Sequence, residues 1–218
     1  MRDVATRLLG TRRDAAILDI GCGDGVLFPF LSQFGDVEGI EPDPAVVSEA
    51  SPWRERIQIR PFDESFSPGR RYDVILMLDV LEHLDDPLRA LRQVHGLLKD
   101  DGRLILTVPA FQLLWTHHDE LNRHVRRYTK RGLITVAHGA GLQVLESWYA
   151  FQWLFFAKLV ERARERVAGP SPPEEVPAER LNEALYRICS VEQRLTGRIM
   201  PFGSSLLAVI AKPNAVSR

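Results

Sequence analysis

Three glycines in five residues, Gly21, Gly23 and Gly25, close the segment ILDIGCGDG directly after the apolar run Ile17 to Ile20. A turn without Cβ atoms bends steeply and brings its backbone against a ligand. A dinucleotide site asks for G-x-G-x-x-G. Counting from Gly21, its third glycine falls on Val26 and the extra glycine is displaced to Gly25, which disfavours NAD. Asp19 stands immediately before the turn, where an acid opposes a pyrophosphate and suits a cation. The chemistry expected is the binding of a positively charged ligand that is short of phosphate.

A second constellation is HHDELNRHVRRYTKR, from His117 to Arg131, with three histidines, five Arg or Lys residues and Tyr128. A metal site made of His117, His118, Asp119 and His124 matches no recognised ligand spacing, and Arg126 and Arg127 would repel a cation, so no metal is expected. Two adjacent arginines suit a carboxylate or phosphate on a substrate. They would equally pin the loop by pairing with the acids between Asp79 and Asp86.

The elements that must position these residues follow from periodicity. Ile17 to Ile20, Val37 to Ile40, Ile57 to Phe62, Val74 to Leu78 and Arg103 to Val108 read as strands. Helical patterning runs through Leu27, Phe30, Leu31 and Phe34; Asp43 caps a helix opening at Pro44; Asp86 caps another opening at Pro87. Residues 109 to 129 read as an ordered loop, Thr129 as the cap of a helix ending near Gly139 or Gly141, and Leu142 to Tyr149 as strand six. The alternation predicts an α/β domain with a parallel sheet covered on both faces. Phe151 to Val167 then reads as a helix, Ala168 to Ala178 as a proline-rich connector, and the spacing of Leu181, Leu185, Ile188, Val191 and Leu195 as a second helix. Leu206 to Ala211 is a last buried strand. The organisation predicted is one sheet domain, residues 1–149 and 204–218, with a helical insertion over 150–203.

Composition sets the outer limits. With 45% hydrophobic and 26% charged residues in 218, the chain can bury a sizeable core, and disorder is excluded. A net charge of −1 gives no bulk attraction for nucleic acid or anionic membrane. The first residues carry no signal-peptide core. The longest nearly apolar stretch, Trp148 to Ala157, is far short of the ~20 residues that span a bilayer. Cys22 and Cys189 make no disulfide framework and suit a reducing cytoplasm, the localisation expected.

The acid in the first strand followed by G-x-G-x-G resembles the first motif of the class I S-adenosylmethionine-dependent methyltransferases. The resemblance covers about residues 15 to 149 plus the final strand. It implies a Rossmann-like seven-stranded sheet whose last strand is antiparallel and inserted beside the fifth. It also implies S-adenosylmethionine as cofactor, with Asp19, Gly21, Cys22, Gly23 and Gly25 around the turn. Glu41, followed by Pro42, would hold both ribose hydroxyls, and Asp63, preferred over its neighbour Glu64, would pair with the adenine amino group. LDVLEHLDDP, Leu78 to Pro87, resembles the fourth motif of the small-molecule branch, with Asp79, Val80, Leu81 and His83 near the methionine portion. His83 is the first candidate for a catalytic base. The pattern H-D-x(4)-H-x-R-R-Y, carried by His118, Asp119, His124, Arg126, Arg127 and Tyr128, resembles a segment of a bacterial branch of the family and is assigned to the acceptor.

The function implied is methyl transfer by in-line displacement to a small or lipid-linked acceptor; the alternative is a catalytically inactive cofactor-binding partner protein. Nucleic acid is disfavoured as a partner because no basic domain is appended. The aromatic start of the insertion, including Trp153, Phe155 and Phe156, would wall an apolar pocket as a lid, touch a membrane interface peripherally, or form a homodimer contact.

Overall fold

A computed structural model describes residues 1–169, 183, 187–189, 191–192 and 199–213. Seven strands form one sheet: β1 (Ala15–Ile20), β2 (Gly35–Glu41), β3 (Ile57–Ile59), β4 (Tyr72–Leu78), β5 (Leu98–Pro109), β6 (Gln143–Ala150) and β7 (Ser205–Ala211). Their order is β3-β2-β1-β4-β5-β7-β6. The first five pair in parallel, while β7 lies antiparallel between β5 and β6, so the Rossmann-like sheet with one inverted strand is present as expected. Every residue of β1 is buried, as a central strand covered on both faces requires.

The α-helices among the described residues are α1 (Arg2–Leu9), α2 (Phe28–Leu31), α3 (Pro87–Leu97), α4 (His117–Leu121), α5 (Lys130–Gly139) and α6 (Gln152–Ala168), with 3-10 turns at Arg54–Arg56, Leu81–His83 and Gln112–Leu114. One core layer joins Leu18, Ile20, Ile75 and Met77 of the sheet to Leu91 and Val94 of α3 and Leu133 of α5. The other joins Ile17, Val37, Leu76 and Val209 to Val4 and Leu9 of α1 and to Phe28 of α2. At α3, Asp86 caps with its side chain on the Arg89 amide and Pro87 occupies the first turn, where its missing N–H costs nothing. Thr129 caps α5 through the Gly132 amide.

Three local expectations are corrected. No α-helix follows Asp43: residues 42–56 are turns ending in a 3-10 turn at Arg54–Arg56. Asp43 spends its carboxylate on the Ala45 amide, Asp24 takes the Ser48 amide, and Pro52 bars continuation. The helix after the glycine turn is only the four residues of α2. The loop after β5 contains α4, whose buried Asp119 accepts the Thr116 amide three residues back. The insertion starts at α6, whose first amides, Gln152 and Trp153, donate to the Glu192 carboxylate at 2.6 and 3.2 Å. The connector and most of the second expected helix lie outside the described residues.

Candidate active site

The strand order reverses between β1 and β4, and open α/β sheets take ligands at the carboxyl ends of the strands at such a point. Both strands carry their unusual residues there. Gly21 has φ +74°, and a Cβ on it would collide with Val80 at the end of β4. Gly23, at φ +55°, donates its N–H to Glu41 Oε2 at 3.0 Å, and the Asp43 N–H meets Oε1 at 3.1 Å. The Glu41 carboxylate, at the end of β2, is thus fixed from behind by two amides, and each oxygen keeps a free lone pair. Asp19 is buried on β1 beside it. Burial first, and then the Glu41 charge, push the Asp19 carboxyl up to about 7. Two carboxylates flanking a glycine turn fit a cation and a pair of hydroxyl donors and reject a pyrophosphate. An S-adenosylmethionine, with its sulfonium, amino group and ribose diol, therefore fits these residues.

The other residues singled out around the turn divide. Cys22 is buried, and its thiol is pushed up to about 12 mainly by burial, which makes it unreactive. Pro42 is exposed. Asp63 is exposed and engaged in an Asx turn: its Oδ1 accepts the Ser65 amide at 3.0 Å and the Ser65 hydroxyl at 2.5 Å. Leu81 is wholly buried in the core. Asp79 takes a left-handed φ of +52°, with its amide on Thr107 Oγ1 at 3.0 Å. Crowding by the protein raises the Asp79 carboxyl above its ordinary value.

Beyond β4 the loop of residues 109–129 folds onto the 3-10 turn at Leu81–His83, tied by the Val125 amide on the Glu82 carbonyl at 3.0 Å. Asp119 is its hub. It is completely buried and accepts the Thr116 amide, His124 Nδ1 at 2.8 Å, and Arg127 Nε and Nη2 at 2.8 and 2.9 Å. Burial would raise its carboxyl, but these partners hold it well below the usual carboxylate range. Arg127, 3% exposed, is thereby consumed inside the protein, and it also donates to the Ala110 carbonyl. Arg126 donates to the Asp85 carbonyl at 2.9 Å. Tyr128 is buried and pairs through its backbone with Pro109 and Phe111. Of the segment assigned to the acceptor, His118, His124 and Arg127 line a cavity of about 350 Å³ together with Asp79 and His83.

Six residues of that lining were not marked in the sequence: Glu82, Pro109, Asn122, Lys158, Ser204 and Ser205. Glu82, hidden inside the fourth motif, is fully buried, and neither carboxylate oxygen has a hydrogen-bond partner; burial, then the nearby Asp79 charge, push it up to about 8. Its acidic neighbours Asp85 and Asp86 are exposed, and nothing in the spacing marks it off from them. Lys158 of α6 and Ser204, just before β7, enter from the far side of the chain. Glu82, His83 and His124 each place one ligand-type atom so that all lie within 4.8 Å of one another. The His83 and His124 rings meet edge to face, 4.8 Å between centroids, and burial and that neighbour lower the His83 pKa.

A family model described as a methyltransferase domain matches residues 1–147. The ubiquinone biosynthesis O-methyltransferase of Azorhizobium caulinodans is 30% identical over 150 residues, 60% of this chain and 59% of that protein. That of Ruegeria pomeroyi is 35% identical over 106 residues, 44% and 43% of the two chains. The chain spans about half the length of the curated relatives it matches. Similar solved structures include the CcbJ methyltransferase from Streptomyces caelestis, with TM-score 0.61 and 15% identity over 97% of this chain and 88% of that one. A TehB-like S-adenosylmethionine-dependent methyltransferase from Corynebacterium glutamicum follows with TM-score 0.57 and 20% identity over 97% and 87%. At these identities the likeness concerns the fold alone.

Proposed function

The chain belongs to the class I methyltransferase family, whose members in general use S-adenosylmethionine, and on that premise we propose that it transfers a methyl group from this cofactor to a small or lipid-linked acceptor. The observation that carries the reading is the acid pair Asp19 and Glu41 around the glycine turn at the switch point. When bound, the cofactor supplies a methyl group on a sulfonium. Glu41, held by the Gly23 and Asp43 amides, orients the ribose diol; Asp19 offsets positive charge; Asp63 and Val80 border the remaining cofactor surface, with Leu81 packed beneath them. His83, exposed at the cleft mouth, is the side chain proposed to act on the acceptor.

An aromatic hydroxyl is the acceptor favoured, since the relatives named above are O-methyltransferases of ubiquinone biosynthesis. An apolar acceptor is supported by the cluster in which Phe111 stacks on Tyr149 at 4.6 Å and Phe155 packs on Phe111 and Phe202 at 5.8 and 5.2 Å. The insertion over 150–203 is read as a unit that covers the cleft: Glu165 of α6 accepts the His117 amide and Arg162 donates to the Gln112 carbonyl, so α6 holds the loop that carries His118 and His124. The histidine-arginine segment is read as the mark of a branch of the family, with His118 and His124 toward the acceptor and Asp119, Arg127 and Tyr128 bracing them. Among the described residues no helix is long and apolar enough to cross a membrane, and a cytoplasmic location is part of the proposal. The test is turnover of labelled S-adenosylmethionine with a panel of catechol and polyprenyl-phenol acceptors. Label transfer to a hydroxyl supports the proposal; cofactor binding without transfer to any acceptor or cell extract contradicts it. Hydrogen exchange separates a lid from a homodimer: protection of 150–165 that follows acceptor supports the lid, and protection that follows protein concentration alone assigns those aromatics to a dimer.

A further inference from the structure

We propose that Glu82, His83 and His124 form a binding site for a divalent transition metal of the zinc class, at the end of β4 and on the wall of the cavity. Two imidazoles and one carboxylate from one side are a donor set that such ions accept, leaving other coordination positions open. The three donors already converge within 4.8 Å of one another, and small side-chain adjustments bring them to metal-bond lengths of about 2.0–2.2 Å.

Glu82 is the observation that points to a ligand. Its side chain is 0% exposed, both oxygens lack a hydrogen-bond partner, and Oε1 lies 3.9 Å from His124 Nε2. A buried carboxylate without partners is costly, and a cation between it and the two rings removes the cost. His124 is prepared in the manner of a ligand. Its Nδ1 meets Asp119 at 2.8 Å, which fixes the ring and leaves Nε2 for the ion, as outer carboxylates do for metal-bound histidines. The adjacent arginines are no obstacle. Arg127 is neutralised by its two-bond contact with Asp119, and Arg126 is turned to the Asp85 carbonyl. The Asp79 carboxyl stands on the same wall. The spacing of His117, His118, Asp119 and His124 hides this site because two of its ligands come from another segment.

The inference rests on the proposed methyl transfer and deepens it: an ion there faces the cavity and would hold an acceptor oxygen and favour its deprotonated form, so His83 acts on the acceptor through the ion it holds. The binding test does not depend on turnover. Untagged protein is stripped with chelator and titrated with Zn2+ against a chromophoric competitor, and Co2+ is added separately for its ligand-field spectrum. One equivalent of Zn2+ is expected, with an intense Co2+ spectrum. His83→Ala, which removes an exposed side chain and spares the core, and His124→Ala should each weaken binding by about tenfold or more, and Asp119→Asn by roughly 10–100-fold. His138→Ala, on the outer face of α5, should bind as the wild type does, and Glu41→Ala should lose cofactor affinity while keeping zinc. The proposal is overturned by the absence of stoichiometric zinc, or by binding that His83→Ala and His124→Ala leave unchanged. Neither outcome bears on whether the cofactor binds.

Discussion

At the level of single residues the site is a set of carboxylates treated in opposite ways by their surroundings. Asp19 has burial and Glu41 against its charge and is raised from 3.8 to about 7; Asp119 has four donors and is held low. The folded chain therefore keeps a proton on Asp19 that the unfolded chain releases near 3.8, and stability should fall as pH rises from there to about 7. The loss amounts to at most on the order of 1.4 kcal/mol per pH unit. Urea unfolding of cofactor-free protein across that window checks it: Asp19→Asn should flatten the slope, and an unchanged slope would refute the assignment. Asp119 has the reverse sign, its contribution being lost only as pH falls below the ordinary carboxylate range. The two neighbouring arginines should also separate. Arg127→Ala strands the buried Asp119 charge and should cost about 3 kcal/mol. Arg126→Ala removes one partly exposed bond to a carbonyl and should cost about 1 kcal/mol. Equal losses in thermal or urea melts would show that the loop is not built around Asp119.

At the level of elements, the strand ends were legible because a buried parallel strand needs a continuous apolar run, and each run here stops at glycine or an acid: Ile20 before Gly21, Ile40 before Glu41, Leu78 before Asp79. The caps Asp86 and Thr129 were legible for the same local reason. What could not be read depended on partners far along the chain. α1 is marked by no cap bond and is held by Val4, Ala5 and Leu9 on the sheet and by Arg7 on Glu146 at the end of the domain. The burial of Glu82 depends on a loop some forty residues later, Ser204 reaches the cavity because β7 inserts beside β5, and Lys158 reaches it from α6, which bonds the loop after β5. Asp43 misled because the same side chain caps helices and turns. Two expectations test the elements. Leu91→Ala opens a cavity between α3 and the sheet and should cost about 2–5 kcal/mol in a urea melt. Arg162→Ala with Glu165→Ala should release α6 from the loop over residues 112–117, speed amide exchange there by roughly tenfold, and lower turnover while cofactor affinity holds. Exchange as slow as in the wild type would mean that α6 does not brace the loop.

At the level of the whole molecule, one sheet brings two kinds of surface to the same strand ends: an acidic turn on the β1–β2 side and a histidine-lined cavity on the β4–β5 side that Lys158 of α6 borders. The proposed function gives the first to a cationic cofactor and the second to the acceptor, and both lie at the strand ends around the switch point. His124, held by Asp119, and the buried Glu82 line that cavity. Selection of S-adenosylmethionine by the acid pair is decided by isothermal titration of the intact protein with S-adenosylmethionine and, separately, with NAD. One-to-one binding of the former is expected, weakened in Glu41→Ala by on the order of 1.5–3 kcal/mol, with no heat from NAD. Absence of S-adenosylmethionine binding by the wild type, an undiminished affinity in Glu41→Ala, or saturable binding of NAD would contradict it.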